Sequence, residues 1–108
     1  MAWASHKRER LCAVDEVDDG AARRFDVVRD GIALVRIGEH FYAIGDRCSH
    51  ANVSLCEGDV HVEDCSLECW KHGSTFSLTT GEALCLPATR PVPVYPVEVV
   101  DGAVWVEI

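Results

Sequence analysis

The sequence has no run of about 18 apolar residues, the length a bilayer-crossing helix needs, so no transmembrane helix is expected. Its opening, "MAWASHKRER", has no apolar stretch of the kind a secretory signal carries, and a cytoplasmic location is expected. Helical periodicity is nearly absent; helix is expected at most as a turn near residues 14–17. Positive charge is scarce: 10 Lys and Arg stand against 18 Asp and Glu, a formal net charge of −8. Such a chain repels nucleic-acid phosphates and anionic membrane surfaces, so neither is an expected partner, and a basic protein surface is. Internal repeats, low-complexity tracts and linkers are also missing. So is any nucleophile–base pair of the kind that marks a hydrolytic enzyme.

What is there is β-like. Apolar residues make up 48% of 108, enough for one domain with a core that needs no disulfide staples. The polar residues 1–9 read as a tail and 10–108 as the domain. "RRFDVV" (23–28), "GIALVRIG" (31–38) and "HFYAIG" (40–45) are short, β-branched and bounded by turn residues, a three-strand meander. Asp30-Gly31 suits a turn with positive φ, and so does Asp101-Gly102 between "PVEVV" and "AVWVEI". Pro91, Pro93 and Pro96 put the approach to that second hairpin at a sheet edge. Between these flanks lies a loop-rich insert, about 46–88, punctuated by Gly58, Gly73, Gly81 and Pro87.

The insert holds "CSH", Cys48 to His50, and "CWKH", Cys69 to His72. In a cytoplasmic chain such cysteines are metal ligands or free thiols more often than disulfides. Structural zinc sites pair cysteine with cysteine at C-x(2–4)-C and histidine with histidine at H-x(3–5)-H. Here each arm carries one of each, and the one-residue gap in the first is short for two ligands on one small tetrahedral ion. A 2Fe–2S rhomb separates the donors, since each of its two irons takes two protein ligands. In a Rieske centre two histidines replace two cysteines on one iron. The C-x-H / C-x-x-H pattern fits that centre better than zinc.

From Phe41 onward the chain resembles the Rieske-type ferredoxins of bacterial ring-hydroxylating dioxygenase systems. The resemblance lies in "FYAIGDRCSH", "SLCEGDV", "LECWKHGSTFSLTTGEAL", "LPATRPVPVYPVEV" and "DGAVWVEI", and more loosely in "LCAVDEVDDGAARRFDV". It implies an all-β Rieske fold: an antiparallel β-sandwich base with a small cluster-binding subdomain. It also implies one 2Fe–2S cluster, with Cys48 and Cys69 on an inner iron and His50 and His72 on an outer, near-solvent one. The 18 residues between His50 and Cys69 exceed the gap in many relatives. The extra length is assigned to "HVEDCSLE", outside the clamp.

High-potential Rieske proteins of respiratory bc complexes carry a further disulfide between the loops. The equivalent positions here are Val53 and Lys71, so that bond cannot form. Those proteins also aim a Ser and a Tyr hydroxyl at the cluster sulfurs. Ser74 falls at the first position and Phe76 replaces the second. Fewer donors stabilise the reduced cluster less, so a potential in the lower half of about −150 to +300 mV is expected. Lys71 would oppose this if it pointed inward; otherwise it joins a docking patch. Trp70 is expected to pack, with docking or electron exit as the other reading. Pro87 resembles part of a third loop that shields the cluster. Cys12, Cys56, Cys65 and Cys85 are expected to be structural thiols, His6, His40 and His61 solvated, and Tyr95 and Trp105 core.

The resemblance implies a soluble electron carrier rather than an enzyme. It would pass single electrons from a flavin-dependent ferredoxin reductase to a terminal iron oxygenase, acting as a monomer. A small subunit of a larger oxidoreductase such as nitrite reductase, whose Rieske-like partner often lacks the ligands, is disfavoured because all four are present here, and two other readings stay open. "ECWKHGSTFSL" and "LPATRPVPVY" look like actinobacterial Rieske proteins encoded beside iron–sulfur assembly genes, a carrier for another pathway. A structural zinc module used for interaction is the other.

Overall fold

The computed structural model describes residues 7–108. Among the described residues ten strands occur in chain order: β1 (Arg8–Ala13), β2 (Ala22–Phe25), β3 (Ile32–Ile37), β4 (His40–Gly45), β5 (Val60–His61), β6 (Ser66–Glu68), β7 (Thr75–Ser77), β8 (Val94–Tyr95), β9 (Val97–Val100) and β10 (Ala103–Glu107). They form three sheets, ordered β1-β10-β9, β2-β3-β4-β8 and β5-β6-β7. All pairings are antiparallel. The helical content of the described residues is two short 3-10 turns, Val14–Glu16 and Leu55–Glu57.

The side-chain alternation of β3 organises the molecule. Successive strand residues point to opposite faces. Ile32 and Leu34 enter one core with Cys12, Val17, Ala43, Val104 and Val106. Ala33 and Val35 enter the other with Ile44, Cys48, Leu55, Leu67, Cys69 and Phe76. All four β3 residues are fully buried, which accounts for the unbroken apolar run "IALV". The four-stranded sheet is thus a shared wall. On one side lies the β1-β10-β9 sheet; on the other lie the β5-β6-β7 sheet and the loops that carry the Cys/His pattern.

The C-terminal hairpin follows the sequence reading, and so does the meander, except that β2 ends at Phe25 and residues 26–31 form the loop into β3 where strand was expected to residue 28. Asp101 (φ 51°) and Gly102 (φ 76°) both take the left-handed conformation that a tight two-residue hairpin turn requires. The two-residue β8 pairs with β4 at the edge of its sheet, where prolines are tolerated. The expected tail needs correction. Residues 1–6 lie outside the described residues, but β1 begins at Arg8, inside the stretch read as tail. Arg8 pairs with Glu107 and Glu9 with Val106, and Lys7 and Ile108 exchange both backbone hydrogen bonds. The polar "KRER" hides a strand because its partner lies at the other end of the chain. Tyr95 and Trp105 are half-buried; Tyr95 packs against the base core as expected, and Trp105 does not join it. Trp105 instead lies under the Arg8 guanidinium, 5.3 Å from ring centroid to Cζ.

Candidate metal centre

Three loops converge beyond the shared wall. The first leaves β4 at Gly45 and returns to its own start. The Asp46 N–H donates to the Gly31 carbonyl (3.0 Å), and the Asp46 carbonyl accepts the Leu55 N–H (2.6 Å). Further out, the Cys48 N–H donates to the Val53 carbonyl (3.1 Å). The fully buried Asp46 carboxylate ties the base of this loop. Its Oδ1 accepts the Cys56 N–H (3.0 Å) and its Oδ2 the Ser54 hydroxyl (2.5 Å). An Arg24 guanidinium nitrogen on β2 stands 3.4 Å from Oδ2. Sequence reasoning missed Asp46. The signal was a carboxylate directly after an apolar strand, with Ser54 eight residues on.

The second loop leaves β6 and is very tight. The Cys69 N–H donates to the Ser74 carbonyl (2.7 Å) and the Gly73 N–H to the Cys69 carbonyl (3.0 Å). Gly73, at φ 77°, makes the turn. A third loop spans the two. The Ala88 N–H donates to the buried Ser74 Oγ (3.0 Å). The Leu84 N–H donates to the Thr75 carbonyl (2.8 Å), and the Ser49 hydroxyl to the Arg90 carbonyl (2.6 Å). Pro87 is half-buried in this loop.

These loops bring the four Cys/His candidates together in two kinds of environment. Cys48 and Cys69 are buried. Their thiols are near neighbours, and Cys48 contributes to the titration of Cys69. His50 and His72 are exposed, with ring centroids 5.2 Å apart and planes at 75°. Burial pushes the Cys69 thiol above its ordinary value; the Lys71 N–H pulls it down, Cys48 pushes it up, and the His72 N–H pulls it down. The His50 N–H lies 3.4 Å from the Cys48 sulfur. N–H groups aimed at sulfur stabilise thiolates.

This donor set fits a two-iron cluster. Two sulfur donors lie inside and two imidazoles outside, as two irons of unlike ligation require. Among the described residues no group of three or more Cys, His, Asp or Glu side chains is gathered for a single metal ion. A rhomb makes no such demand, since each iron takes only two protein ligands. The Ser74 oxygen is occupied as an acceptor by Ala88, which leaves its hydroxyl proton to be donated.

The other singled-out residues divide. Lys71 is exposed, as the docking alternative requires. Trp70 is 54% exposed, so the expectation that it packs is corrected: a two-residue span between Cys69 and His72 leaves its ring outside both cores. Phe76 is fully buried and offers no hydroxyl. All six cysteines are free, so Cys56 and Cys65 are not bonded. Cys85 is exposed, whereas Cys12 belongs to the base core. His40 opens β4, and His61 bonds Glu68 at 2.6 Å rather than being merely solvated; His6 lies outside the described residues. Residues 61–68, to which the extra length is assigned, run from β5 into β6 through a turn with exposed Glu63 and Asp64.

Known proteins resemble this chain along most of its length. The ferredoxin subunit of 3-phenylpropionate/cinnamic acid dioxygenase from Photorhabdus laumondii is 46% identical over 99 residues, 91% of each chain. The ferredoxin of carbazole 1,9a-dioxygenase from Nocardioides aromaticivorans IC177 superposes with a TM-score of 0.89 at 35% identity, over 93% of this chain and 96% of the other. A ferredoxin solved in complex with the reduced oxygenase of carbazole 1,9a-dioxygenase superposes at 0.84 with 37% identity, over 91% of this chain and 99% of its own. The pattern of the Rieske [2Fe-2S] domain matches residues 7–96. The fold is the all-β Rieske fold and the cofactor it implies is one Rieske-type 2Fe–2S cluster. The chain belongs to the Rieske [2Fe-2S] domain family.

Proposed function

We propose that this protein is the electron-carrying ferredoxin of a ring-hydroxylating dioxygenase system, with Cys48, Cys69, His50 and His72 as the cluster ligands. The carrying observation is the buried thiol pair beside an exposed imidazole pair whose centroids lie 5.2 Å apart. When bound, a 2Fe–2S cluster supplies reversible one-electron transfer. The chain's own work is to hold and to shield. The hydrogen-bonded loops fix the donors, and burial of the two cysteines keeps water from the inner side. Exposure of His50 and His72 gives a partner edge-on access. Phe76 at the position of a missing donor, and Val53 and Lys71 where a disulfide would need cysteines, support a low-potential carrier.

In this reading a flavin-dependent reductase supplies the electron and a terminal iron oxygenase receives it. The chain is a component of that system rather than an enzyme in itself. Support for the acceptor comes from the relatives, which are dioxygenase ferredoxins, one of them solved with its oxygenase. With Cys48 and Cys69 on the cluster, the four remaining cysteines are unpaired thiols, which suits a reducing compartment, and we place the carrier in the cytoplasm as a monomer. Among the described residues no helix is long and apolar enough to cross a membrane.

The test is an EPR spectrum of dithionite-reduced protein, with iron and sulfide counted on the same sample. A rhombic signal of low average g is expected with two irons and two sulfides per chain. Zinc without iron would overturn the reading in favour of an interaction module. An all-cysteine signal would overturn the ligand set. Electron delivery to an iron–sulfur assembly enzyme but to no oxygenase would move the carrier to the other pathway.

A further inference from the structure

The net charge of −8 predicts that this carrier meets basic surfaces. The distribution of the charge says otherwise. In residues 47–56, 69–81 and 83–97, which hold the four candidate ligands and the loop segments bonded to them, Arg47, Lys71 and Arg90 are the only Asp, Glu, Lys or Arg side chains; the buried Asp46 and the exposed Glu57 and Glu82 border these segments. All three cations are exposed. Two thiolates neutralise an oxidised 2Fe–2S core and leave a reduced one at −1, which is smaller than the summed charge of these three cations, so the segments stay net positive in both states. The 18 acids lie outside these segments, several in runs such as Asp15-Glu16 and Asp18-Asp19 near the opposite core.

The same tip exposes apolar surface. The three most exposed large apolar side chains among the described residues are Leu86 (75%), Trp70 (54%) and Leu84 (52%). Trp70 lies within the second ligand loop. Leu84 and Leu86 lie on the third, which is bonded to the second at Thr75 and Ser74 and to the first at Ser49. Contiguous exposed apolar side chains mark interaction surfaces. Beside His50 opens a groove of ≈ 500 Å³ lined by Arg29, Arg47, Asn52 and Tyr95. Asp30 on its wall lies 3.6 Å from Arg47 and offsets one of the two guanidinium charges.

We infer that the electron-exit face is an apolar patch with a cationic rim, and that it docks a terminal oxygenase through an apolar surface rimmed by acidic side chains. The acceptor's identity rests on the proposed function; the sign of the rim does not. Long-range repulsion between two acidic proteins would slow encounter, while the uneven charge of this carrier turns its cationic tip toward the partner. Charge complementarity at the rim then fixes the docked pose.

Two measurements test this. The first needs no protein partner: oxidation of the reduced holoprotein by ferricyanide, which takes one electron to become ferrocyanide. A cationic exit face predicts a rate that falls as salt rises from about 10 to about 300 mM, because attraction is being screened. Control by the net charge predicts a rate that rises, and that would overturn the inference. Lys71→Glu and Arg90→Glu should each flatten or reverse the salt dependence. Asp18→Lys, near the far core, should leave its direction unchanged.

The second measurement is equilibrium binding of the oxidised holoprotein to the terminal oxygenase of a 3-phenylpropionate/cinnamic acid dioxygenase. Binding in the oxidised state is independent of any change in potential caused by Lys71→Glu. Each reversal adds negative charge to an already acidic protein, so a basic partner would bind the variants more tightly. The inference requires the opposite: about two- to fivefold weaker binding per reversal, the scale of one exposed ion pair. Unchanged or tighter binding would overturn it. No binding by any form, with the ferricyanide result intact, would overturn the named acceptor and leave the cationic face standing.

Discussion

Removing the Asp46 carboxylate should open the first ligand loop. The group is fully buried and accepts from the Cys56 N–H at 3.0 Å and the Ser54 hydroxyl at 2.5 Å, with Arg24 at 3.4 Å. Hydrogen bonds to a charged group contribute about 1.5–3 kcal/mol each, and breaking a buried charged network by deleting one partner costs about 3–5 kcal/mol. Asp46→Ala leaves the Cys56 N–H without its acceptor and should fall in that range. Since a domain of this size has only about 5–15 kcal/mol to lose, it should also release the cluster. Asp46→Asn keeps the shape and one acceptor oxygen but turns an N–H₂ toward a donor, so its loss should be about 1.5–3 kcal/mol. Arg24→Ala should have the smallest effect, because that guanidinium is partly solvated and also bonds Asp26. The assay is urea unfolding of each holoprotein, followed by far-UV circular dichroism for the strands and visible absorbance for the cluster. An Asp46→Ala protein within about 1 kcal/mol of the parent, cluster retained, would refute the claim that this carboxylate ties the loop.

Other expectations follow from the same geometry. A Cβ at Gly58 would stand 1.7 Å from the Glu68 carbonyl oxygen, so Gly58→Ala must push the first loop away from β6 and Cys69. It should lose at least the ~1–3 kcal/mol of ordinary overpacking, together with cluster occupancy by absorbance. Gly102→Ala meets open space and should lose only about 1–2 kcal/mol through its positive φ. His72→Cys exchanges imidazole for a more electron-donating thiolate; voltammetry should show a lower potential or absorbance a lost cluster, and an unchanged potential with an intact cluster would contradict the ligand set. Burial, reinforced by Glu16 and opposed by Arg23 and Arg10, raises the Cys12 thiol above its ordinary 9.0. The unfolded chain therefore releases this proton first as pH rises. The contribution of Cys12 to stability is complete below the unfolded value and is lost as pH climbs through the folded one. Urea melts from pH 7 to 10 should show an alkaline decline that is shallower in Cys12→Ala.

Local signals carried much of the fold. Asp30-Gly31 and Asp101-Gly102 announced their turns because positive φ restricts which residues can occupy them. The run "IALV" announced β3, although not that its two faces serve different cores. The Cys/His spacing picked out four residues that the loops do gather. What was not legible depends on distant partners. β1 reads as charged tail until β10 pairs with it, and β5 and β6 are too short to show a period. Asp46 is one acid among 18 until Arg24, Ser54 and Cys56 surround it. The type of Trp70 favours burial, whereas its place between Cys69 and His72 denies it a core to enter.

The strand β3 has a consequence for how the molecule fails. Ile32 and Leu34 belong to the base and Ala33 and Val35 to the loop side, yet all four share one backbone. Neither half can melt without stripping one face from the other, so the domain should unfold in a single cooperative step. The innermost amides of β3 should then exchange with solvent only by global opening. Damage at the Cys/His loops would shorten the lifetime of hydrogen bonds on the far side of the wall. A carrier built this way has no intact remnant after it loses its cluster loops, and a spent copy presents itself to proteases as a whole.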